Sequence, residues 1–147
     1  MNIYIGSDHA GFGLKEELCA YISSLGHLVI DKGPYELNAS DDYPDYIFPV
    51  AEAVAGDEGS LGVVLGYSGQ GEAMCANRVR GVRAALYAGG DTEIVLLARE
   101  HNNANVLSLG SRFVTSLSAK EAVRLFLETE FTREERHIRR ITKLDTH

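Results

Sequence analysis

A glycine-rich turn followed by a carboxylate is the segment of this sequence with the clearest chemical potential. The turn Gly66–Gly71 (GYSGQG) leads directly into Glu72 and a helical stretch that runs to Asn77. Exposed backbone NH groups in such a turn bind anions, and a neighbouring carboxylate can remove a carbon-bound proton while those groups hold the enediolate oxygen. Two plainer interpretations stay open: a tight turn without a ligand, and a Glu72 that only stabilises the helix N-terminus.

Histidines and arginines supply further candidate groups. His9, next to Asp8, could form a charged phosphate contact, and His101, in the polar run HNNAN, could exchange a proton with a sugar hydroxyl. Arg136 and Arg140 are four residues apart, so they share a helix face and could hold a phosphate with planar, bidentate donors. Ordinary surface or core histidines and a solvated basic face remain the alternatives at this point.

Five short apolar runs rich in β-branched residues predict buried strands. They are Ile3 to Ile5, His27 to Ile30, Leu61 to Leu65, Val82 to Leu86 and Val106 to Leu109. Helical patterns between them predict an α/β fold, with a parallel sheet covered by helices on both faces. We expect capping boxes (Ser118 with Glu121, Thr132 with Glu135) to begin the last two helices. No strand follows the terminal helix, which therefore packs on its own domain or reaches a partner subunit.

Ligands of open parallel sheets bind beyond the carboxyl ends of the strands, where the strand order reverses. If the order is 2-1-3-4-5, the first and third strands flank that reversal. Asp8, His9, Ser68 and Glu72 would then converge on one crevice.

Composition narrows the class of protein. A chain of 147 residues with 45% hydrophobic content predicts one domain over residues 1–147. The net charge of −7 argues against nucleic-acid binding. No run approaches the roughly 18 apolar residues that a membrane helix needs. Cys19 and Cys75 form no CxxC pair, so we expect no zinc site or disulfide. Without a signal-peptide pattern, a reducing, cytoplasmic location is expected.

Six segments together resemble the ribose-5-phosphate isomerase B family, which includes the galactose-6-phosphate isomerase subunits. The resemblance runs from Met1 to about Arg140 and is carried by GSDHAG at Gly6–Gly11, DYP at Asp42–Pro44, the segment Gly66–Asn77, HN at His101 with NVL at Asn105, GSR at Gly110 and RHxxR at Arg136.

The resemblance implies a Rossmann-like, three-layer fold with a five-stranded parallel sheet. It also implies an aldose-ketose isomerase that interconverts ribose 5-phosphate and ribulose 5-phosphate through a cis-enediolate, without metal or cofactor. The family forms homodimers, sometimes tetramers, whose active sites contain residues of both subunits, so the terminal helix would reach the partner. Allose 6-phosphate and galactose 6-phosphate remain open as substrates.

Roles of individual residues also follow from the resemblance. His101 and Ser68 would assist opening of the sugar ring. Residues near the sugar hydroxyls would be Asp8, Tyr43 and Asn102; those holding the phosphate would be His9, Arg112, Arg136 and Arg140; and the amides expected to hold the oxyanion are those of Gly69, Gln70, Gly71, Glu72, Ala73 and Met74.

One departure from the family pattern selects the catalytic base. Many members have a catalytic cysteine at the end of the third strand, where this chain has Gly66, and Cys75 lies too far into the following helix to replace it. Other members instead carry a glutamate directly after the SGxG segment, as in SGQG followed by Glu72. We therefore expect Glu72 to be the base. Tyr67 also departs from the pattern, because a small residue is expected there.

Two rival functions belong to other classes. The same fold layout hosts non-catalytic phosphate- or nucleotide-binding modules. A dinucleotide-dependent oxidoreductase is less favoured, because neither the GxGxxG spacing nor an acidic ribose contact after the first helix is convincingly present.

Overall fold

The computed structural model describes residues 1–147 and contains one five-stranded sheet, with every strand parallel to its neighbours. Its strands are β1 (Asn2–Ser7), β2 (Leu28–Asp31), β3 (Leu61–Gly66), β4 (Ala84–Tyr87) and β5 (Val106–Gly110). All five predicted strands are thus confirmed, with small differences at their ends.

The strand order is β2-β1-β3-β5-β4, so the order 2-1-3-4-5 was wrong for the last two strands. Burial explains the exchange. Every residue of β5 is buried, which suits a strand with neighbours on both sides, whereas three of the four residues of β4 are only half-buried. The strand order still reverses between β1 and β3, as expected.

Six α-helices and one short 3₁₀ turn connect the strands. The turn is His9–Gly11, and the helices are α1 (Phe12–Ser24), α2 (Pro44–Gly56), α3 (Gln70–Ala76), α4 (Glu93–Asn102), α5 (Ser116–Glu128) and α6 (Glu135–Asp145). None of them is long and apolar enough to cross a membrane.

Helices cover both faces of the sheet, which confirms the three-layer α/β architecture. On one face, the 18-residue core cluster joins the strands to α1, α4 and α5 through residues such as Leu18, Val95 and Phe126. On the other face, a smaller cluster of nine residues joins them to α2 and α3 through residues such as Val50 and Ala76.

Both expected capping boxes were wrong. Helix α5 begins before the predicted cap at Ser118, because its capping box is formed by Thr115 and Ser118. Thr115 Oγ1 accepts from the Ser118 amide at 3.0 Å, and Ser118 Oγ accepts from the Thr115 amide at 2.9 Å. Helix α6 begins at Glu135 without a side-chain cap. Thr132 instead donates its hydroxyl to the Glu100 carbonyl at 2.8 Å.

Candidate active site

Three loops meet beyond the carboxyl ends of β1, β3 and β5 and form a crevice. Ser111 links them, since its hydroxyl lies 2.7 Å from the Gly66 carbonyl oxygen and 3.0 Å from that of Ala10. The Ser111 amide also donates to Gly66 at 2.8 Å, and the Asp8 amide donates to the Leu65 carbonyl at 3.2 Å. The sheet therefore sets the relative positions of the residues that follow these strands.

Asp8 is built into the backbone of this crevice. It is buried, and its Oδ1 accepts from the amides of Ala10 at 2.9 Å and Gly11 at 3.2 Å. These bonds cap the 3₁₀ turn and hold the carboxylate beside the carboxyl end of β3. The second carboxylate oxygen forms none of these bonds, so it can accept from a ligand hydroxyl.

Glu72 lies in the first turn of α3 with only 4% of its surface exposed. Its carboxylate fills the space beside Gly66: a Cβ atom built at residue 66 would lie 1.9 Å from Oε1 and 2.1 Å from Cδ. The glutamate thus occupies the volume that a side chain at position 66 would need.

Burial raises the pKa of Glu72; its own backbone amide acts in the opposite direction, and the negative charge of Asp8 raises the pKa further. A carboxylate with a raised pKa is a stronger base once it is ionised. Its raised pKa and its burial in a loop crevice are features of a general base.

The glycine turn offers free amides beside this carboxylate. Gly69 has φ of 75°, and a Cβ atom there would lie 2.8 Å from the backbone of Leu109, so only glycine fits. The amides of Gly71 and Glu72 donate to no backbone carbonyl, whereas the Ala73 amide donates to Gly69 at 3.0 Å. The Ala73 amide is therefore engaged within the helix and does not belong to the predicted oxyanion site.

Ser68, Tyr43 and Gln70 line the same turn. The Ser68 hydroxyl accepts a long bond of 3.4 Å from the Gln70 amide. The Tyr43 ring packs directly on Gly71, since a Cβ atom at Gly71 would lie 2.8 Å from the ring carbon Cζ. Tyr43 and Ser68 thus both lie beside the glycine turn.

Two residues at the rim of the crevice are exposed. Arg112 is exposed, and its amide donates to the Tyr67 carbonyl at 3.0 Å, which places Arg112 beside the glycine turn. Tyr67 packs edge-on against Phe113, with 6.2 Å between ring centroids. The unexpected tyrosine therefore belongs to an exposed aromatic pair.

His9 has a partner that the sequence did not reveal. Its Nδ1 lies 2.6 Å from Asp41 Oδ1, and its amide donates to the same oxygen at 3.1 Å. The hydrogen bond to Asp41 raises the pKa of His9. Asp8, His9 and Asp41 are also the one group whose potential metal-ligating atoms lie within 4.8 Å of one another. Hydrogen bonds within the group and to the backbone already account for its arrangement.

His101, in the polar run HNNAN, lies in the last turn of α4. This helix runs antiparallel to the strands, so it ends near their amino ends, where the Asn102 carbonyl accepts from Arg83 Nε at 3.0 Å. At about 3.3 Å per strand residue, that edge lies roughly 15 Å from the crevice. Within one chain, His101 and Asn102 are therefore not brought beside Glu72 and Ser68.

A stacked histidine pair connects His101 to α6. The rings of His101 and His137 have centroids 4.3 Å apart and planes 14° apart. His137 is buried, and its Nε2 has no hydrogen-bond partner. Burial lowers the pKa of His137, and His101 and Arg136 lower it further. Arg136 and Arg140 are exposed on the same helix, and Arg136 Nε pairs with Glu134 at 2.8 Å.

The dinucleotide-dependent oxidoreductase finds no support at β2. Asp31 ends this strand, in the position of an acidic ribose contact. Its carboxylate instead pairs with the fully buried ammonium group of Lys15 and accepts from the Gly33 amide at 2.8 Å. The group that would hold a ribose hydroxyl is thus engaged inside the protein.

Fold and site together define a class: an α/β enzyme with a buried carboxylate beside free amides at the switch point of its sheet. The chain matches the Ribose/Galactose Isomerase family over residues 3–144 and belongs to that family.

Its similarity to individual members extends over nearly the whole chain. It is 44% identical to ribose-5-phosphate isomerase B of Mycolicibacterium paratuberculosis over 96% of this chain and 87% of that protein. The structure of ribose-5-phosphate isomerase B from Mycoplasma genitalium with bound ribulose 5-phosphate superposes with a TM-score of 0.93, at 42% identity, over 99% of this chain and 94% of that one. The enzyme from Clostridium thermocellum gives a TM-score of 0.93 at 40% identity, over 99% of this chain and 96% of that one.

Proposed function

We propose that this protein interconverts ribose 5-phosphate and ribulose 5-phosphate. The observation that carries the proposal is the Glu72 carboxylate, buried against Gly66 and adjacent to the free amides of the glycine turn. A binding module has no need of a desolvated carboxylate at this point, whereas an isomerase needs a base there. Membership of the family and the sugar phosphate bound to the Mycoplasma genitalium relative support the same substrate class.

Glu72 transfers the proton between the two carbons. Its ionised carboxylate removes the proton from C2 of the open-chain aldose, which gives a cis-enediolate with the negative charge on O1. A proton then passes from O2 to O1, and Glu72 returns its proton to C1 as the carbonyl group forms at C2. The amides of Gly69, Gly71 and Glu72 stabilise the negative oxygen as it develops. No step of this proton transfer requires a metal or a cofactor.

The other groups come from two copies of the chain. Because His101 and Asn102 lie at the opposite edge of the sheet from Glu72, we propose a homodimer in which the partner supplies them. The partner's α6 would supply Arg136 and Arg140 in the same way. His101 of one copy and Ser68 of the other then assist opening of the sugar ring.

Phosphate binding provides remote binding energy that aligns the reacting carbons. His9 and Arg112 contact the phosphate from the chain that holds Glu72, and Arg136 and Arg140 approach from the partner. Asp8, Tyr43 and Asn102 contact the sugar hydroxyls. A cytoplasmic location, where sugar phosphates are metabolised, fits this function.

Proton NMR in D2O tests the activity directly. The protein is incubated with ribose 5-phosphate, with and without EDTA, and the appearance of ribulose 5-phosphate and deuterium exchange at C1 and C2 are followed. We expect turnover that EDTA does not change. Absence of turnover and exchange would exclude this substrate, and a panel with allose 6-phosphate and galactose 6-phosphate would then test the other sugars. Binding without turnover of any of them would favour a non-catalytic module.

Mixing two inactive variants tests the shared site. In a dimer formed from one Glu72→Gln chain and one His101→Asn chain, one site carries both changes and the other carries neither. Equimolar mixing with subunit exchange should therefore restore roughly one quarter of wild-type activity, since about half of the dimers are mixed and each has one intact site. A mixture that stays as inactive as its components, although native mass spectrometry shows exchange, would place both groups in the same chain's site.

A further inference from the structure

The side chain of Asp41 is the least expected feature near the crevice. It is 2% exposed, although Asp41 lies in the connection between β2 and α2 and its neighbour Asp42 is exposed. One oxygen, Oδ1, bonds both the amide and the imidazole Nδ1 of His9. The other oxygen, Oδ2, is buried and has no hydrogen-bond partner.

A buried carboxylate with an unpartnered oxygen is costly unless a positive charge compensates it. His9 is the one cationic group bonded to Asp41. The other charged group that faces His9 is Asp8, whose Oδ1 is already bonded to the amides of Ala10 and Gly11. The geometry therefore favours an imidazolium at His9 with its Nδ1–H directed at Asp41.

We propose that Asp41 is a positioning residue for phosphate binding, which holds the His9 ring in one orientation and as a cation, so that Nε2–H donates to the phosphate of the substrate. This inference rests on the proposed function, since it assigns His9 to the phosphate. The two bonds to one carboxylate oxygen fix the ring relative to the backbone, which leaves Nε2 as the ring nitrogen available to a ligand. His9 is 40% exposed in its side chain, so that edge is accessible.

The pH dependence follows from the sign of the shift. Asp41 raises the pKa of His9 above its ordinary value of 6.5. A sugar phosphate loses its second proton near pH 6. Between that pH and the raised pKa of His9, a dianion meets an imidazolium. Without the charge of Asp41, His9 loses its proton at a lower pH, and binding weakens within the neutral range.

Two variants separate the charge of Asp41 from its hydrogen bonds. Asp41→Asn keeps an acceptor for His9 but removes the charge, and Asp41→Ala removes both. We expect Asp41→Asn to raise the KM for ribose 5-phosphate on the order of tenfold near pH 7.5, with kcat little changed. The pH at which KM begins to increase should also be lower in this variant than in the wild type. Asp41→Ala should raise KM further. Glu36→Gln is the matched control, because Glu36 lies in the same connection, is exposed and forms no side-chain hydrogen bond.

Nitrogen NMR of the His9 ring provides a readout that does not depend on turnover. In the wild type, His9 should keep its Nδ1 proton throughout the titration. The pKa of His9 should also be higher in the wild type than in Asp41→Asn. An unchanged His9 pKa together with an unchanged KM profile in Asp41→Asn would overturn the inference, while wild-type turnover would leave the proposed function intact. If the wild type itself fails to turn over sugar phosphates, the proposed function falls, and the NMR titration still decides whether Asp41 sets the charge and orientation of His9. Loss of fold in Asp41→Ala, seen by circular dichroism, leaves the test to Asp41→Asn.

Discussion

Replacing Gly66 by alanine is the sharpest test of the Glu72 site, because a single methyl group would enter the volume of the carboxylate. The added Cβ atom would lie 1.9 Å from Oε1, 2.1 Å from Cδ and 2.5 Å from Oε2. Non-bonded Cβ contacts below 3.0 Å essentially do not occur, so the Glu72 carboxylate must move by at least about 1 Å. Misplacement of a reacting group by about 1 Å costs a factor on the order of 10² in rate.

We therefore expect Gly66→Ala to lower kcat on the order of 10²-fold. The carboxylate is the flexible end of its side chain and Gly66 does not have a positive φ, so we expect only a small change of Tm. Gly62→Ala is the matched control: it adds the same methyl group to β3, where the nearest atoms are valine side chains at 3.0 to 3.2 Å rather than a carboxylate. It should alter stability without a comparable loss of kcat.

Steady-state kinetics with ribose 5-phosphate, combined with thermal unfolding of both variants, provides the comparison. Nearly normal kcat in a folded Gly66→Ala protein would refute the reasoning, because it would mean that the position of the Glu72 carboxylate does not limit the reaction. An equal loss of kcat in Gly62→Ala would also count against it, since the effect would then come from the strand and not from the base.

Other variants test the remaining assignments. Glu72→Gln should lower kcat by a factor on the order of 10³ or more, as measured with saturating substrate. The raised pKa of Glu72 means that its protonated form stabilises the folded state, and this stabilisation is lost as pH rises through the raised pKa. Glu72→Gln stays neutral, so it should have a higher Tm than the wild type at neutral pH. For the same reason, the acidic limb of kcat/KM should lie above the ordinary pKa range of a glutamate, and a limb near pH 4.5 would contradict the assignment. Burial raises the pKa of both Cys19 and Cys75 to about 11, so replacing both by alanine should leave kcat almost unchanged, and a large loss would assign the chemistry to a thiolate. His137→Ala should lower kcat, measured with saturating ribose 5-phosphate, whereas His137→Phe, which keeps a stacked ring, should retain more activity.

Local sequence patterns predicted most of the fold and the segment at the centre of the candidate site. The strands were predictable because each is a short apolar run, and the position of Glu72 beside the glycine turn was predictable because the two are adjacent in sequence. The order of β4 and β5 in the sheet was not predictable, because it depends on which of the two strands is buried on both sides. Helix α2 was not predicted individually, although Ile47, Val50, Ala51 and Val54 repeat at helical spacing.

Contacts between distant segments escaped prediction. The Asp41–His9 pair joins residues 32 positions apart and depends on how the connection after β2 folds over the crevice. The Gly66–Glu72 contact required coordinates, although a glycine at the end of the strand and a glutamate in the next helix were both visible. In the structure, a side chain at position 66 and the carboxylate of Glu72 would compete for one volume.

Chain direction explains why the predicted site residues of one copy lie at two opposite edges of the sheet. In a parallel sheet, each strand delivers its following loop to the carboxyl edge, and each connecting helix returns the chain to the amino edge. Asp8, Ser68 and Glu72 follow strands, so they share the first edge, whereas His101 closes a helix and must lie at the second. Stacking of His101 on His137 then places α6 at that second edge, opposite the edge that carries the glycine turn of the same chain. All of these residues belong to one chain, but the topology of the sheet separates them. A second copy of the chain is therefore the simplest way to bring them together. The proposed dimer thus follows from where each predicted site residue lies along its βα unit.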